Sequence, residues 1–316
     1  MTLFPRTLDE AAAAAAGGAE ARAGGTDVQD RRRIGRTAAE LVDLTRIAGL
    51  DAIDRHPDGS VRLGAMVRIA RLAADPVLRT SHAGLALAAA GLATPQIRAV
   101  GTLGGNLLQR TRCPYYREGH ITCWRTGHEG CPSRTGDHLY AVCIDQGPCV
   151  APHPSTLAVA LLAYEARVEV HGGASRDVAA LYGDGSDGAR DHLLAPGELL
   201  AAVELPGTSS GERATYRRTI ARAFAEWPLV EVVARARLEE GRVALVRVAV
   251  GGVANTPLRL PAVEHALEGE RPSPEAIARA ASAVVQRCSP LPQTAYKVAQ
   301  LRETVRDALE LVAGAP

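Results

Sequence analysis

Thr94-Pro-Gln-Ile-Arg-Ala-Val-Gly-Thr-Leu-Gly-Gly-Asn106 runs directly into a stretch, Cys113 to Cys149, that holds five of the chain's six cysteines. Gly104 and Gly105 stand between the Thr102 hydroxyl and the Asn106 carboxamide and read as a strand-to-turn element whose backbone N–H groups can converge on an anion. Upstream, Ala21-Arg-Ala-Gly-Gly-Thr-Asp-Val28 repeats the device: a short strand opens into Gly24-Gly25, with Thr26 as a further donor. Either element alone is most often a plain turn, and an Asn such as Asn106 most often its cap. Together they suit a diphosphate gripped from two sides. Neither is a GxGxxG fingerprint or a Walker loop, which argues against nicotinamide or nucleoside-triphosphate binding by the usual routes.

The clustered cysteines are Cys113, Cys123, Cys131, Cys143 and Cys149, with Cys288 far away. The start of the chain shows no export signal pattern, so a reducing compartment is expected and disulfides give way to metal or cluster ligation. No two of these cysteines form a CxxC pair. Structural zinc usually shows a tight pair, whereas a cluster accepts wide spacing when the fold supplies the geometry. His120, His128, His138 and His153 keep a zinc or mixed-ligand site open. From about 110 to 150 the chain lacks helical or strand periodicity, apart from Tyr140-Ala-Val-Cys-Ile144, which reads as a short apolar strand, and a loop that long inside a compact domain needs a function to hold it.

Working outward, 316 residues with 47% apolar content suffice for two cored units. A net charge of +1 with interspersed signs leaves no footprint for nucleic acid or for an anionic membrane. The alanine run Ala11 to Ala16 is too short to span a bilayer, and the expected location is the cytoplasm, or the periplasm if a signal-bearing partner exports the chain. A helix is expected from Thr7 or Asp9 to Gly17, a buried one over 82–93 and another from Pro154 through Ala163. Strands are expected near 21, 41, 61, 167 and 199, then as three consecutive antiparallel runs after 206, with helices over 274–287 and 294–312 closing the chain. The expected units are 1–205, with the cysteine loop inside it, and 206–316.

At Gly24-Gly25-Thr26, Gln96-Ile-Arg98, Thr102 to Asn106, His153-Pro-Ser155 and Val248-Ala-Val-Gly-Gly-Val-Ala254 the chain resembles the FAD-binding medium subunits of the xanthine dehydrogenase and carbon monoxide dehydrogenase family, over nearly its whole length. Leu107-Leu-Gln-Arg-Thr-Arg-Cys-Pro-Tyr-Tyr116 and Cys149-Val-Ala-Pro-His-Pro-Ser155 further resemble the FAD subunit of bacterial periplasmic aldehyde oxidoreductases, a branch with an extra 4Fe-4S cluster. The resemblance implies an α+β protein with a vanillyl-alcohol-oxidase (PCMH)-type fold: two α/β subdomains with FAD between them, then a small α+β domain with an antiparallel sheet. It also implies a heterotrimer in which a molybdenum-cofactor large subunit oxidises the substrate, an aldehyde. A small subunit with 2Fe-2S clusters relays the electrons, and this chain passes them from FAD to an external acceptor.

Carried over by resemblance, the FAD contacts are Ala21, Arg22, Ala23, Gly24, Gly25, Thr26, Asp27 and Val28, then Thr102, Leu103, Gly104, Gly105 and Asn106. Leu92, Leu200 and Arg218 fall at further contacts, Arg218 where a lysine is usual. The cluster ligands are Cys113, Cys123, Cys131 and Cys149, and Cys143 is a spare thiol. No residue is assigned as acid, base or nucleophile. The chain departs from the family at Ala99, a usual Asn, at Thr156, a usual Asp, and at Glu226-Trp227-Pro228. Thr156 keeps one acceptor for the flavin, so FAD binding is expected to be weakened but present, and Thr156→Asp to tighten it by roughly 1 kcal/mol. Two rival readings are a zinc-stabilised scaffold subunit that has lost its flavin and a self-sufficient flavoprotein oxidase.

Overall fold

The structure is a computed structural model that describes residues 1–221 and 226–314. The first sheet is parallel and short, with β1 (Thr2–Leu3), β2 (Glu20–Arg22) and β3 (Leu41–Asp43) in the order β1-β3-β2. Helix Leu8–Ala16 bridges its first two strands. Thr7 caps that helix by accepting the Glu10 N–H at 3.2 Å, and Gly17 ends it. The second sheet joins β4 (Ile53–Arg55), β5 (Val61–Gly64), β6 (Arg167–His171), β7 (Arg176–Asp177) and β8 (Leu199–Leu205) in the order β4-β5-β8-β6-β7, every pair antiparallel.

Between β5 and β6 run the two most apolar helices, Ala83–Gly91 and Thr156–Ala163. A helix that is apolar all round must be enclosed on every side. All eight residues of Thr156–Ala163 are buried, and Ser155 caps it by accepting the Ala158 N–H at 3.1 Å.

The third sheet is antiparallel, β9 (Arg213–Thr219), β10 (Val230–Glu239), β11 (Arg242–Gly251) and β12 (Leu258–Arg259) in the order β12-β11-β10-β9. Both of its faces are covered, which the period-two alternation of β10 records. Val230, Val232, Ala234 and Ala236 join the core under helices Pro274–Ser282 and Tyr296–Ala313. Val233, on the opposite face, joins the core built on Ala83–Gly91 and Thr156–Ala163. That second face also carries Glu231 and Arg235. Arg235 is buried against the first part of the chain, donating to Ala163 O at 2.7 Å and lying over the Tyr164 ring. The whole is the α+β architecture that the resemblance implies. Among the described residues no helix is long and apolar enough to cross a membrane.

Two local expectations are corrected. Thr102 to Asn106 is helical: Leu103–Leu107 forms a short helix, Thr102 caps it by accepting the Gly105 N–H at 3.1 Å, and another helix, Pro95–Val100, precedes it. The glycines suggested a turn, but capping and packing on Ala65 settle the backbone. Tyr140 to Ile144 forms no strand, because no neighbouring strand offers it a ladder; instead the Cys143 and Ile144 N–H groups both donate to Val253 O at 2.9 Å.

Candidate functional site

A cleft of about 1120 Å³ is walled by the first sheet at Glu20 and Ala21 and by the second at Leu199 and Leu200. It gathers Ala21, Ala23, Gly24, Gly25, Thr26, Asp27, Val28, Leu92, Thr102, Gly104, Gly105, Asn106 and Leu200. Four other expected contacts lie off its wall. Arg22 pairs with Asp43, Leu103 is fully buried in the core, Thr156 is buried behind the cleft, and Arg218 lies on β9.

The two glycine elements touch. A Cβ on Gly24 would stand 2.1 Å from Val100 O, so only glycine lets the first turn seat against the end of helix Pro95–Val100. Gly25 follows at φ 77°, in the left-handed region. Among the described residues no acceptor is taken by the N–H groups of Gly24, Gly25 or Thr26. These are donors that an anionic ligand can satisfy. Arg98 of the Gln-Ile-Arg motif shapes the adjoining wall, donating to Leu92 O and Ala93 O at 2.8 Å each and so holding Ala93 at φ 49°.

Asp27 does more than face the cleft. Its carboxylate accepts from Arg31 Nε at 2.8 Å, Arg117 at 2.8 Å and the Arg110 N–H at 3.3 Å, with Arg112 at 3.1 Å. Burial opposes ionisation there, but Arg112, Arg117 and Arg31 outweigh it and hold the carboxyl below its usual range. The first turn is thereby tied to the start of the cysteine loop. Arg36 adds a clamp on loop carbonyls, donating to Tyr116 O at 2.5 Å, Ile121 O at 2.7 Å and Glu118 O. Arg134 grips the far limb through both Asp145 oxygens at 2.9 Å. The loop is therefore ordered by charge-assisted bonds more than by apolar burial.

Sequence reasoning missed this arginine set. Arg112 lines the cleft, stacks on Trp227 at 4.8 Å and buries an Nε that meets no partner among the described residues. The signal was present in the loop's arginine content.

Cys113, Cys123, Cys131 and Cys149 line one small pocket, and Cys143 and the four loop histidines do not. The Cys113 thiol receives backbone N–H bonds from Tyr115 and Tyr116, yet burial pushes it up to about 11, with Cys149 and Cys131 adding to the rise. Among the described residues no three His, Cys, Asp or Glu side chains are drawn in around a single metal ion. His138 is engaged elsewhere, by Gly136 O at 2.8 Å and the Gln293 N–H at 3.2 Å, and His153 packs edge-on to Tyr182. Tyr116 and Arg125 line both the cysteine pocket and the cleft. Arg125 is buried between Asp191, at 2.5 Å, and Cys149.

Thr156 joins a buried network instead of the cleft. Its hydroxyl bonds to Glu231, whose Oε2 also accepts from Tyr216 at 2.9 Å. Burial pushes the Glu231 carboxyl up to about 7, against these hydrogen bonds and the nearby Arg218.

Residues 2–208 match the family model for the FAD binding domain in molybdopterin dehydrogenase, and residues 218–311 match that for the CO dehydrogenase flavoprotein C-terminal domain. The aldehyde oxidoreductase FAD-binding subunit PaoB of Escherichia coli K12 is 37% identical over 259 residues, 79% of each chain. The carbon monoxide dehydrogenase medium chain of Hydrogenophaga pseudoflava is 26% identical over 85% of this chain and 80% of its own. The solved carbon monoxide dehydrogenase from that organism superposes with a TM-score of 0.77 at 23% identity, over 98% of this chain and 96% of the other. Quinoline 2-oxidoreductase from Pseudomonas putida 86 gives 0.76 at 20% identity, over 99% and 96%.

Proposed function

This chain belongs to the FAD-binding subunits of the molybdopterin dehydrogenase family, and from that premise we propose that it is the electron-transferring flavin and 4Fe-4S subunit of a heterotrimeric aldehyde oxidoreductase. In this reading a molybdenum-cofactor subunit and a 2Fe-2S subunit deliver electrons to this chain, which hands them to an external acceptor. When bound, FAD and the cluster supply the redox chemistry, and the protein supplies binding, orientation and tuning.

Both groups are tested by the residues present. The cleft is of dinucleotide size, above the usual 300–1,000 Å³ of small-ligand pockets. The N–H groups of Gly24, Gly25 and Thr26, which meet no acceptor among the described residues, and the half-buried Arg112 suit its diphosphate. Cys113, Cys123, Cys131 and Cys149, which line one pocket, are the four-thiol set that would hold a 4Fe-4S cluster. The pocket they line together with Tyr115, Tyr116 and Trp124 measures about 10 Å³. We place the division of the chain near residue 205: β8 ends at Leu205, and the third sheet begins at Arg213.

The observation that carries the reading is the shared wall: Tyr116 and Arg125 face the cleft on one side and the four thiols on the other. The test is anaerobic purification of the tagged chain from its native cells, followed by aldehyde addition. Co-purifying molybdenum and 2Fe-2S subunits, with a flavin absorbance that the aldehyde bleaches, is the expected result. A colourless chain with one zinc, purified alone, would establish the scaffold reading instead.

A further inference from the structure

Six cysteines less the four around the pocket leave Cys143 and Cys288, which lie 145 positions apart in sequence and beside each other in the fold. Cys143 is fully buried in the core under the C-terminal helices. Cys288 follows the 3-10 turn Ala283–Arg287, packs against that same core and is partly open to solvent. Both side chains belong to that one core, where the Cys288 thiol donates to Val284 O at 3.6 Å. Their backbones are tied as well: the Ser289 N–H donates to Cys143 O at 2.9 Å, and the Asp145 N–H donates to Ser289 Oγ at 2.9 Å. Ser289 follows Cys288 directly, so its backbone bond to Cys143 brings the two cysteines together.

We propose that Cys143 and Cys288 are a thiol–disulfide pair that latches the trailing limb of the cysteine loop to the segment leading into helix Tyr296–Ala313. That limb is already docked there by weaker contacts: His138 and Gln293 exchange bonds at 2.8 and 3.2 Å, Tyr296 donates to Leu139 O at 2.9 Å, and Lys297 to Tyr140 O at 3.3 Å. The oxidant is a small-molecule disulfide such as oxidised glutathione. The Cys288 thiolate attacks one of its sulfurs, forming a mixed disulfide and releasing one small thiol, which takes up the proton Cys288 has lost. Cys143 then attacks Cys288 Sγ, breaks the mixed bond and releases the second small thiol with its own proton. Two protein thiols are oxidised by two electrons, and one small disulfide is reduced to two thiols.

The roles follow from exposure and charge. Cys288 is the accessible member, and its hydrogen bond from Cys143, together with Arg287, lowers its thiol against the effect of burial. The neighbouring Cys288 and burial push the Cys143 thiol up, with the buried Lys297 ammonium opposing the rise, so Cys143 is the member that attacks second, once Cys288 carries the mixed disulfide.

The assembled protein is incubated anaerobically with oxidised glutathione, alkylated and digested without reduction for mass spectrometry. The wild type should yield a Cys143–Cys288 linked peptide, lose two titratable thiols, melt at a higher temperature and revert with dithiothreitol. Cys143→Ser should stop at glutathione on Cys288, with no rise in melting temperature. Wild-type protein that carries glutathione on Cys288 without the linked peptide, that stays unmodified at both positions, or that links either cysteine to a third would overturn the proposal.

Discussion

Arg125 Nε donates to Cys149 Sγ at 3.4 Å. The same guanidinium is held by Asp191, itself buried and accepting the Thr111 N–H at 3.2 Å, so the cation cannot turn away from the sulfur. With Cys149 as the cluster ligand proposed above, a fixed positive charge beside it would favour the reduced, more negative state. Arg125→Gln is therefore expected to lower the cluster potential on the order of 50 mV, read by an EPR-monitored redox titration. It should also cost about 3 kcal/mol of stability, because Asp191 loses its closest cation. An unchanged potential would separate Arg125 from the redox site.

Gly105 is the sharper probe of the cleft. A Cβ there meets only Thr102 Oγ1 at 3.0 Å and Ala23 Cβ at 3.7 Å, whereas one on Gly104 runs into Ala65 Cβ at 2.9 Å and Ala65 O at 3.1 Å. Gly104→Val thus reports on folding. Gly105→Val should fold and lose at least tenfold in FAD affinity, about 1.4 kcal/mol, measured by flavin fluorescence on reconstitution. Full affinity in a folded Gly105→Val protein would remove this side of the cradle.

The Glu231 network sets a pH dependence. The carboxyl ionises near 4.5 when unfolded and near 7 when buried, so the native state holds the extra proton between these values. Stability from this group is complete below about pH 4.5 and is lost as pH rises through 7, by roughly 3 kcal/mol. Glu231→Gln should shrink the wild-type loss between pH 5 and pH 8 by about that amount in urea unfolding. Identical pH profiles would mean that Glu231 is already compensated by Arg218.

The same network reverses an expectation from sequence. Thr156→Asp would set a second carboxylate against Glu231 in a buried site, where two like charges resist joint ionisation. The variant is expected to melt lower than wild type at pH 8 and to gain no FAD affinity, checked by thermal melts and flavin titration. Tighter FAD binding would show that residue 156 does reach the flavin.

Much of this was legible in local pattern. The alternation of β10 and the two glycine pairs each announce themselves within a dozen residues, and the loop's thiols stand in plain sight. What escaped depends on partners remote in sequence. Arg36 clamps carbonyls some eighty positions away, and Thr156, at the start of a helix, faces a glutamate on β10. Leu103–Leu107 was hidden by its glycines, whose turn preference is overridden by the Thr102 cap and by close packing on Ala65.

Iron, sulfide and flavin content of the wild type and of the five single Cys→Ser variants in the loop, each purified anaerobically in its complex, tests the central claim most directly. The account predicts one FAD with four iron and four sulfide in the wild type beyond the partners' clusters, and the same in Cys143→Ser. Ser at Cys113, Cys123, Cys131 or Cys149 should lose or convert the cluster while FAD remains. A wild type without that iron, or Cys143→Ser iron-free while any of the other four stays fully loaded, would contradict it.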